Sequence, residues 1–306
     1  MDKYKDYIEI QWWNKLQKRD IDNWIKNFGA NEELAEIILE NVIYYNDPQM
    51  KSYTRFLINQ LKGQVYEQVM QQGNYAFVDD GVLQSAWQDY KQKTRFVPAA
   101  VMGDTTSSAF MVVRQWRSVL EGVSGNGEEL FTDITGIEKN YGKGACRFIL
   151  VDDFSGSGSQ MLEVLGQEIA FQGRSVELGR LPDYAADVEI VVAVYVVHTE
   201  AIRMVGEKYP KVKIIYVDLV SDDLNYLNEN SIMYRKLDEK RAKAIVAQIQ
   251  ELCDTVKNED AELQKLSSYV LNIPIVFEHG CPNNTLILLF AHTDNWQQLF
   301  KRGEEI

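Results

Sequence analysis

Phe148-Ile149-Leu150-Val151-Asp152-Asp153-Phe154-Ser155-Gly156-Ser157-Gly158-Ser159-Gln160 is the segment that most narrows the folds open to this chain. Its first four residues are continuously apolar and the run is short, which predicts a strand buried in a parallel sheet. Two carboxylates close the run, small residues follow, and Met161, Leu162, Leu165 and Ile169 then keep a helix-like spacing. Open α/β sheets bind ligands at the carboxyl ends of such strands. Asp152 and Asp153 stand at that end, and because they alternate across the strand they point to different sides. Two carboxylates there can accept hydrogen bonds from a pair of sugar hydroxyls, or hold a hydrated magnesium ion.

The residues that follow, Phe154 and Ser155-Gly156-Ser157-Gly158-Ser159-Gln160, offer backbone N–H groups with few side chains in the way. Glycine supplies the positive φ angles such a turn needs. The turn feeds a helix N-terminus, whose free N–H groups favour an anion. Ser157 and Ser159 add hydroxyl donors, so the expected occupant is a phosphate beside a dihydroxy sugar. A plain capped strand–turn–helix would use the same residue types. Two adjacent charges at a buried strand end argue against it, because they are costly without a ligand or solvent.

The chain is long enough, at 306 residues, to bury a sizeable core in one or two domains. Residues 1 to about 90 read as a helical N-terminal region. Leu34, Ile37, Ile38, Val42 and Tyr45 keep helical spacing, as do Leu57, Leu61, Val65 and Val69, with a break at Pro48. Trp12, Trp13, Trp24 and Phe28 suit a docking cluster or, more simply, core packing. From residue 91 to 306 strands alternate with helices. Arg95–Val101, the 148–151 run, Val188–Val197 and Lys211–Val220 read as strands, and Ala242, Ile245, Ile249, Leu252 and Val256 mark a long helix. The tail returns to β character at Pro274–Phe277 and Thr285–Phe290. The fold class is therefore α/β, a mostly parallel sheet covered by helices, with an N-terminal helical region.

A net charge of −13 argues against broad nucleic-acid binding, which needs Lys and Arg to neutralise phosphates. It leaves room for a small anion held by backbone donors, magnesium and a few Arg. No apolar run reaches membrane-spanning length, and the first residues lack a signal-peptide pattern, so a cytoplasmic protein is expected. Cys146, Cys253 and Cys281 are too few and scattered for a disulfide framework or a zinc site.

Secondary candidates lie elsewhere. Gly103 to Ser108 is a small-residue strand-to-helix turn, and Thr106, Ser107 and Ser108 could hold a second anion there. The segment 122–129 is a Gly-rich loop whose composition suits a surface connection. His279 is a candidate acid/base group because imidazole titrates near neutrality, though a lone histidine is more often structural. Asn283 and Asn284 could bond a base edge or simply make a turn. Cys281 has no evident activating partner in the sequence.

The 148–160 segment resembles the phosphoribosyl-pyrophosphate binding motif of type I phosphoribosyltransferases: an apolar strand, two acids, two usually apolar residues, a variable position, then Thr-Gly-x-Thr. Asp152 and Asp153 fall on the acidic pair, Ser157 and Gly158 on Thr-Gly, Ser159 on the variable position and Gln160 on the final Thr. The resemblance implies that the acids bind the ribose hydroxyls and the loop the 5′-phosphate. It also implies that the Gly103–Ser108 turn contacts pyrophosphate. Gly156 stands where purine-salvage members carry an Asp that assists proton transfer, and Gln160 removes a hydroxyl from the cradle. Asn283-Asn284 after Pro282, with Trp296, Leu299-Phe300 and Arg302, is similar to the tail signature of the phosphoribosyltransferase-like branch called PRTase-CE. That branch is described from bacterial conflict systems as a candidate anti-phage effector. The implied ligand is phosphoribosyl pyrophosphate or a nucleotide with magnesium, acted on at the ribose anomeric carbon with Asp152 and Asp153 positioning the sugar, and the resemblance also implies that a loop such as 122–129 closes over the site. A silent sensor of such a ligand, or a subunit docking a defence-system protein or a second copy, is the alternative.

Overall fold

The structure, a computed structural model, describes residues 4–12, 15–75, 77–121, 127–266 and 270–302. In chain order the elements are α1 (Lys18–Ile25), α2 (Glu32–Glu40), β1 (Ile43–Tyr45), α3 (Asp47–Gln72), α4 (Asp80–Gln92), β2 (Thr94–Pro98), α5 (Ala109–Glu121), α6 (Ile137–Tyr141) and β3 (Arg147–Ser155). There follow α7 (Ser159–Leu165), β4 (Glu168–Phe171), β5 (Arg174–Glu177), α8 (Leu181–Tyr184), β6 (Glu189–His198), α9 (Thr199–Lys208) and β7 (Lys213–Val220). The last are α10 (Glu239–Glu259), α11 (Ala261–Leu266), β8 (Ile275–Phe277) and α12 (Ile287–Phe290). They gather in two compact units. Met50–Leu219 makes one, and Met1–Gln49 together with Val220–Ile306 makes the other.

The middle unit holds a parallel sheet in the order β2-β3-β6-β7. Strand β3 pairs Phe96 with Ile149 on one side and Val191 with Ile149 on the other. Val-rich β6 is buried from Ile190 to its end, where branched side chains pack well on a pleated surface. Each buried Val or Ile contributes about 1.5–3 kcal/mol relative to exposure. Alternation sends Phe148 and Leu150 to one face, where they cluster with Val164 and Leu165 of α7 and Val205 of α9. The opposite face meets α3 and α5. The ring of Phe96 lies 5.0 Å from that of Trp116. The Tyr195 hydroxyl reaches Thr54 Oγ1 at 2.7 Å and donates to Gln115 Oε1 at 2.8 Å. An α/β fold with a parallel sheet covered on both sides is thus what the chain adopts.

Helix α7 stops at Leu165, so Ile169 is a strand residue rather than part of that helix. It belongs to the antiparallel hairpin β4–β5, turned by Gln172 (φ 51°) and Gly173 (φ 75°). Positive φ at both central residues suits the right-handed strand twist.

The other unit buries Trp12, Trp24 and Phe28, so these aromatics are core; Trp13 lies outside the described residues. Trp24 Nε1 and Trp296 Nε1 both donate to Leu288 O, at 2.7 and 3.1 Å. Ile245, Ile249, Cys253 and Val256 of α10 close the same core. The periodicity through Val42 and Tyr45 does not continue as helix. Helix α2 ends at Glu40, and Ile43–Tyr45 pairs in parallel with Ile275–Phe277. Residues Thr285–Phe290 form no strand either. Thr285 makes a single bridge to Ile273, and α12 follows, since so short an apolar run carries no period to separate strand from helix. Among the described residues no helix is long and apolar enough to cross a membrane.

Candidate functional site

Parallel pairing carries β3 to Ser155, so Asp152 and Asp153 lie inside the strand near its carboxyl end rather than beyond it. Both are buried, at 2% and 5% exposure. Asp152 Oδ1 accepts the backbone N–H of Asp153 at 3.0 Å. Burial, and then the charge of Asp153 beside it, push the Asp152 carboxyl well above the ordinary carboxylate range. Asp153 Oδ1 accepts the Ser108 hydroxyl at 2.9 Å. The two loops singled out in the sequence therefore meet, because β2 and β3 are neighbours and both end on the same edge.

Within the first loop the three hydroxyls have different tasks. Thr106 donates through both its N–H and its Oγ1 to Asp104 Oδ1, each at 2.8 Å. Ser107 Oγ accepts the Ala109 N–H at the start of α5, 3.3 Å away, and only Ser108 reaches the acidic pair. Phe154 and Ser155 are the buried last residues of β3, and in the loop that follows Gly156 and Gly158 are buried beside half-buried Ser157 and Ser159. Ser157 Oγ donates to Ser159 Oγ at 3.1 Å. Gln160 is exposed, in the first turn of α7. Gly158 is left-handed (φ 80°), and a Cβ there would stand 3.0 Å from the Ala201 Cα in α9. Glycine is needed at this position twice over, for its φ and for the close approach.

Two participants escaped the sequence reading. Gln167 binds the start of the first loop: its Oε1 accepts the Met102 N–H, and its Nε2 donates to Ala100 O at 3.4 Å. His198 ends β6, one strand over from β3, where Val197 pairs with Ser155. It is 1% exposed, and its Nδ1 accepts the Glu200 N–H at 3.1 Å. A histidine closing a long β-branched run was the available signal, since a polar residue at a parallel strand's carboxyl end is placed for ligand chemistry.

His279, Asn283 and Asn284 belong to the unit formed by the chain's two end segments. The half-buried His279 ring stacks on Phe277, centroids 5.4 Å apart. Asn283 Oδ1 accepts from Arg302 Nε and Nη2 at 3.1 and 2.9 Å. Asn284 is buried, and its carbonyl accepts the Ile273 N–H at 3.1 Å. The two halves of the tail pattern are thus bonded to each other. Burial pushes the Cys281 thiol up, so its thiolate is scarce and the residue is a poor nucleophile. Residues 122–126 of the Gly-rich loop lie outside the described residues.

No group of three or more His, Cys, Asp or Glu is arranged to hold a metal among the described residues. The Asp152–Asp153 pair therefore suits magnesium only in its usual manner, one or two carboxylates with the remaining positions taken by water and substrate oxygens. The family model described as PRTase-CE matches residues 21–302 of the chain. Neither a curated protein nor a solved structure matches the chain.

Proposed function

The chain belongs to the PRTase-CE family and is a phosphoribosyltransferase-like protein, and on that premise we propose that the carboxyl edge of β3 binds phosphoribosyl pyrophosphate or a nucleotide with magnesium. The observation that carries the reading is the buried Asp152–Asp153 pair, with Ser108 donating to Asp153 and the glycine-lined Ser155–Ser159 turn following at once. In this reading the carboxylates receive the ribose hydroxyls, and the backbone N–H groups of residues 156–159 and the hydroxyls of Ser157 and Ser159 receive the 5′-phosphate. Asp152 and Asp153 would hold the magnesium, which when bound offsets the diphosphate charge. Holding the sugar fixed at the sheet edge favours a bond broken or formed at the anomeric carbon, through a transition state with oxocarbenium character. A cytoplasmic role in bacterial anti-phage defence fits the family, with a nucleotide pool as the target. His279, the acid/base candidate, and Asn283 and Asn284, the base-edge candidates, belong to the other compact unit and enter no step of this proposal.

The loop from Ser155 to Gln160 holds no titratable side chain, and this favours a second reading in which the ligand is sensed without turnover. One experiment separates them. Purified protein is titrated calorimetrically with phosphoribosyl pyrophosphate and magnesium, and incubated with bases and a nucleotide panel under mass spectrometry. Binding lost in Asp153→Ala together with a new product supports the enzyme; the same binding without product supports the sensor. A folded protein that neither binds nor turns over any of them refutes both.

A further inference from the structure

We propose that His198 is the positioning residue of the Ser157–Ser159 turn. This rests on the reading of that turn as the phosphate-binding element, but the geometry stands by itself. Helix α9 starts at Thr199, and its N-cap is His198, whose Nδ1 accepts the Glu200 N–H at 3.1 Å. Caps of this kind are ordinarily Ser, Thr, Asp or Asn. Here a hydroxyl is available next door at Thr199, yet the imidazole makes the bond. An N–H can only donate, so Nδ1 carries no proton, and the neutral ring keeps its proton on Nε2.

The first turn of α9 held in this way is the surface against which the 155–159 turn rests. Gly158 approaches Ala201 so closely that an added Cβ would stand 3.0 Å from the Ala201 Cα, 3.4 Å from Met204 Cβ and 3.5 Å from Ala201 Cβ. Ala201 is itself buried. Strand pairing fixes the other side, since Ser155 and Val197 are partners in the β3–β6 ladder. The turn leaves β3 at Ser155 and the cap leaves β6 at His198, one residue past the paired Val197. His198 therefore acts on the turn through α9: the cap sets where Ala201 stands, and Ala201 sets how the left-handed Gly158 can lie.

The test compares His198→Leu, which removes the acceptor, with His198→Asn, whose side-chain oxygen can cap in its place. Amide exchange by mass spectrometry reads residues 156–160, with the β4–β5 hairpin as internal reference, and calorimetry reads phosphoribosyl pyrophosphate affinity. His198→Leu is expected to speed exchange in 156–160 about tenfold or more and to weaken binding to match; His198→Asn is expected to restore both to within about threefold. Unchanged loop exchange in a folded His198→Leu, or a His198→Asn as loose as the leucine variant, overturns the proposal. If the parent binds no phosphoribosyl ligand, the functional reading fails while the exchange arms still decide this one. Should the leucine variant not fold, nitrogen-15 spectra of the parent's imidazole decide: an unprotonated Nδ1 supports the cap, and a proton on Nδ1 overturns it.

Discussion

Replacing Gly158 by Ala tests whether the turn is built as described. Two costs add. The left-handed backbone (φ 80°) penalises any Cβ by about 1–2 kcal/mol. The new methyl would also sit 3.0 Å from a backbone atom, the Ala201 Cα, which cannot swing aside as a side-chain tip can. Overpacking of this sort costs about 1–3 kcal/mol, so the total is about 2–5 kcal/mol. Gly173 separates the terms, because its φ is also positive (75°) and its Cβ would meet nothing within 4 Å. Gly173→Ala should therefore lose only about 1–2 kcal/mol. Gly206 lies within α9 itself, with open space and no positive φ, and Gly206→Ala should gain about 0.5–1 kcal/mol. Because the chain has two compact units, a single melting curve is a poor measure. Hydrogen exchange of β6 peptides in rising urea reports the unfolding of the middle unit specifically. A Gly158→Ala loss no larger than that of Gly173→Ala would refute the close approach to α9.

Other outcomes follow from particular contacts. Asp152→Asn keeps an oxygen for the Asp153 N–H and removes the buried ionisable group. The Asp152 carboxyl titrates above its unfolded value, so its stabilising contribution is full below the unfolded pKa and is lost as pH rises through the folded one. Urea midpoints of the parent should accordingly fall across that rise, and those of Asp152→Asn should fall less and stand higher at pH 7. Ser108→Ala removes a hydroxyl bonded to a carboxylate and should cost about 1.5–3 kcal/mol, read in the same β6 exchange assay. Trp24→Ala empties a fully buried site in the other unit and should cost about 3–5 kcal/mol, seen as early exchange of α10 peptides with β6 unaffected.

What the sequence disclosed, and what it hid, follows from the range of each interaction. The β3 strand and its turn were legible because the information is local: a continuous apolar run, then acids, then glycines. The long helix through Ile245 and Ile249 was legible for the same reason, as a period repeated over many residues. The hairpin at Ile169 was missed because apolar residues there also fit the spacing of the preceding helix, and the signal against it was one Gln-Gly pair. Strand β1 was missed because what holds Ile43–Tyr45 extended is a partner far along the chain. The meeting of Ser108 with Asp153 needs the knowledge that β2 and β3 are adjacent. His198 is invisible as a cap until the helix start is known. Likewise, a division drawn along the chain at residue 90 cannot convey that residues 1–49 and 220–306 share one compact unit.

That shared unit has a consequence for how the protein is made. Strand β1 joins Ile43 to Ile275, so its partner leaves the ribosome roughly 230 residues later. At ordinary elongation rates this is a delay of about 10–50 s, during which Trp24 and Phe28 lack the tail that covers them. The middle unit, by contrast, has every strand of its sheet in hand by Val220. Synthesis therefore delivers a finished centre first and holds the opening segment in suspense until the closing one arrives. A chain cut short after the sheet would keep the Asp152–Asp153 edge while leaving its first helices exposed to chaperones and proteases.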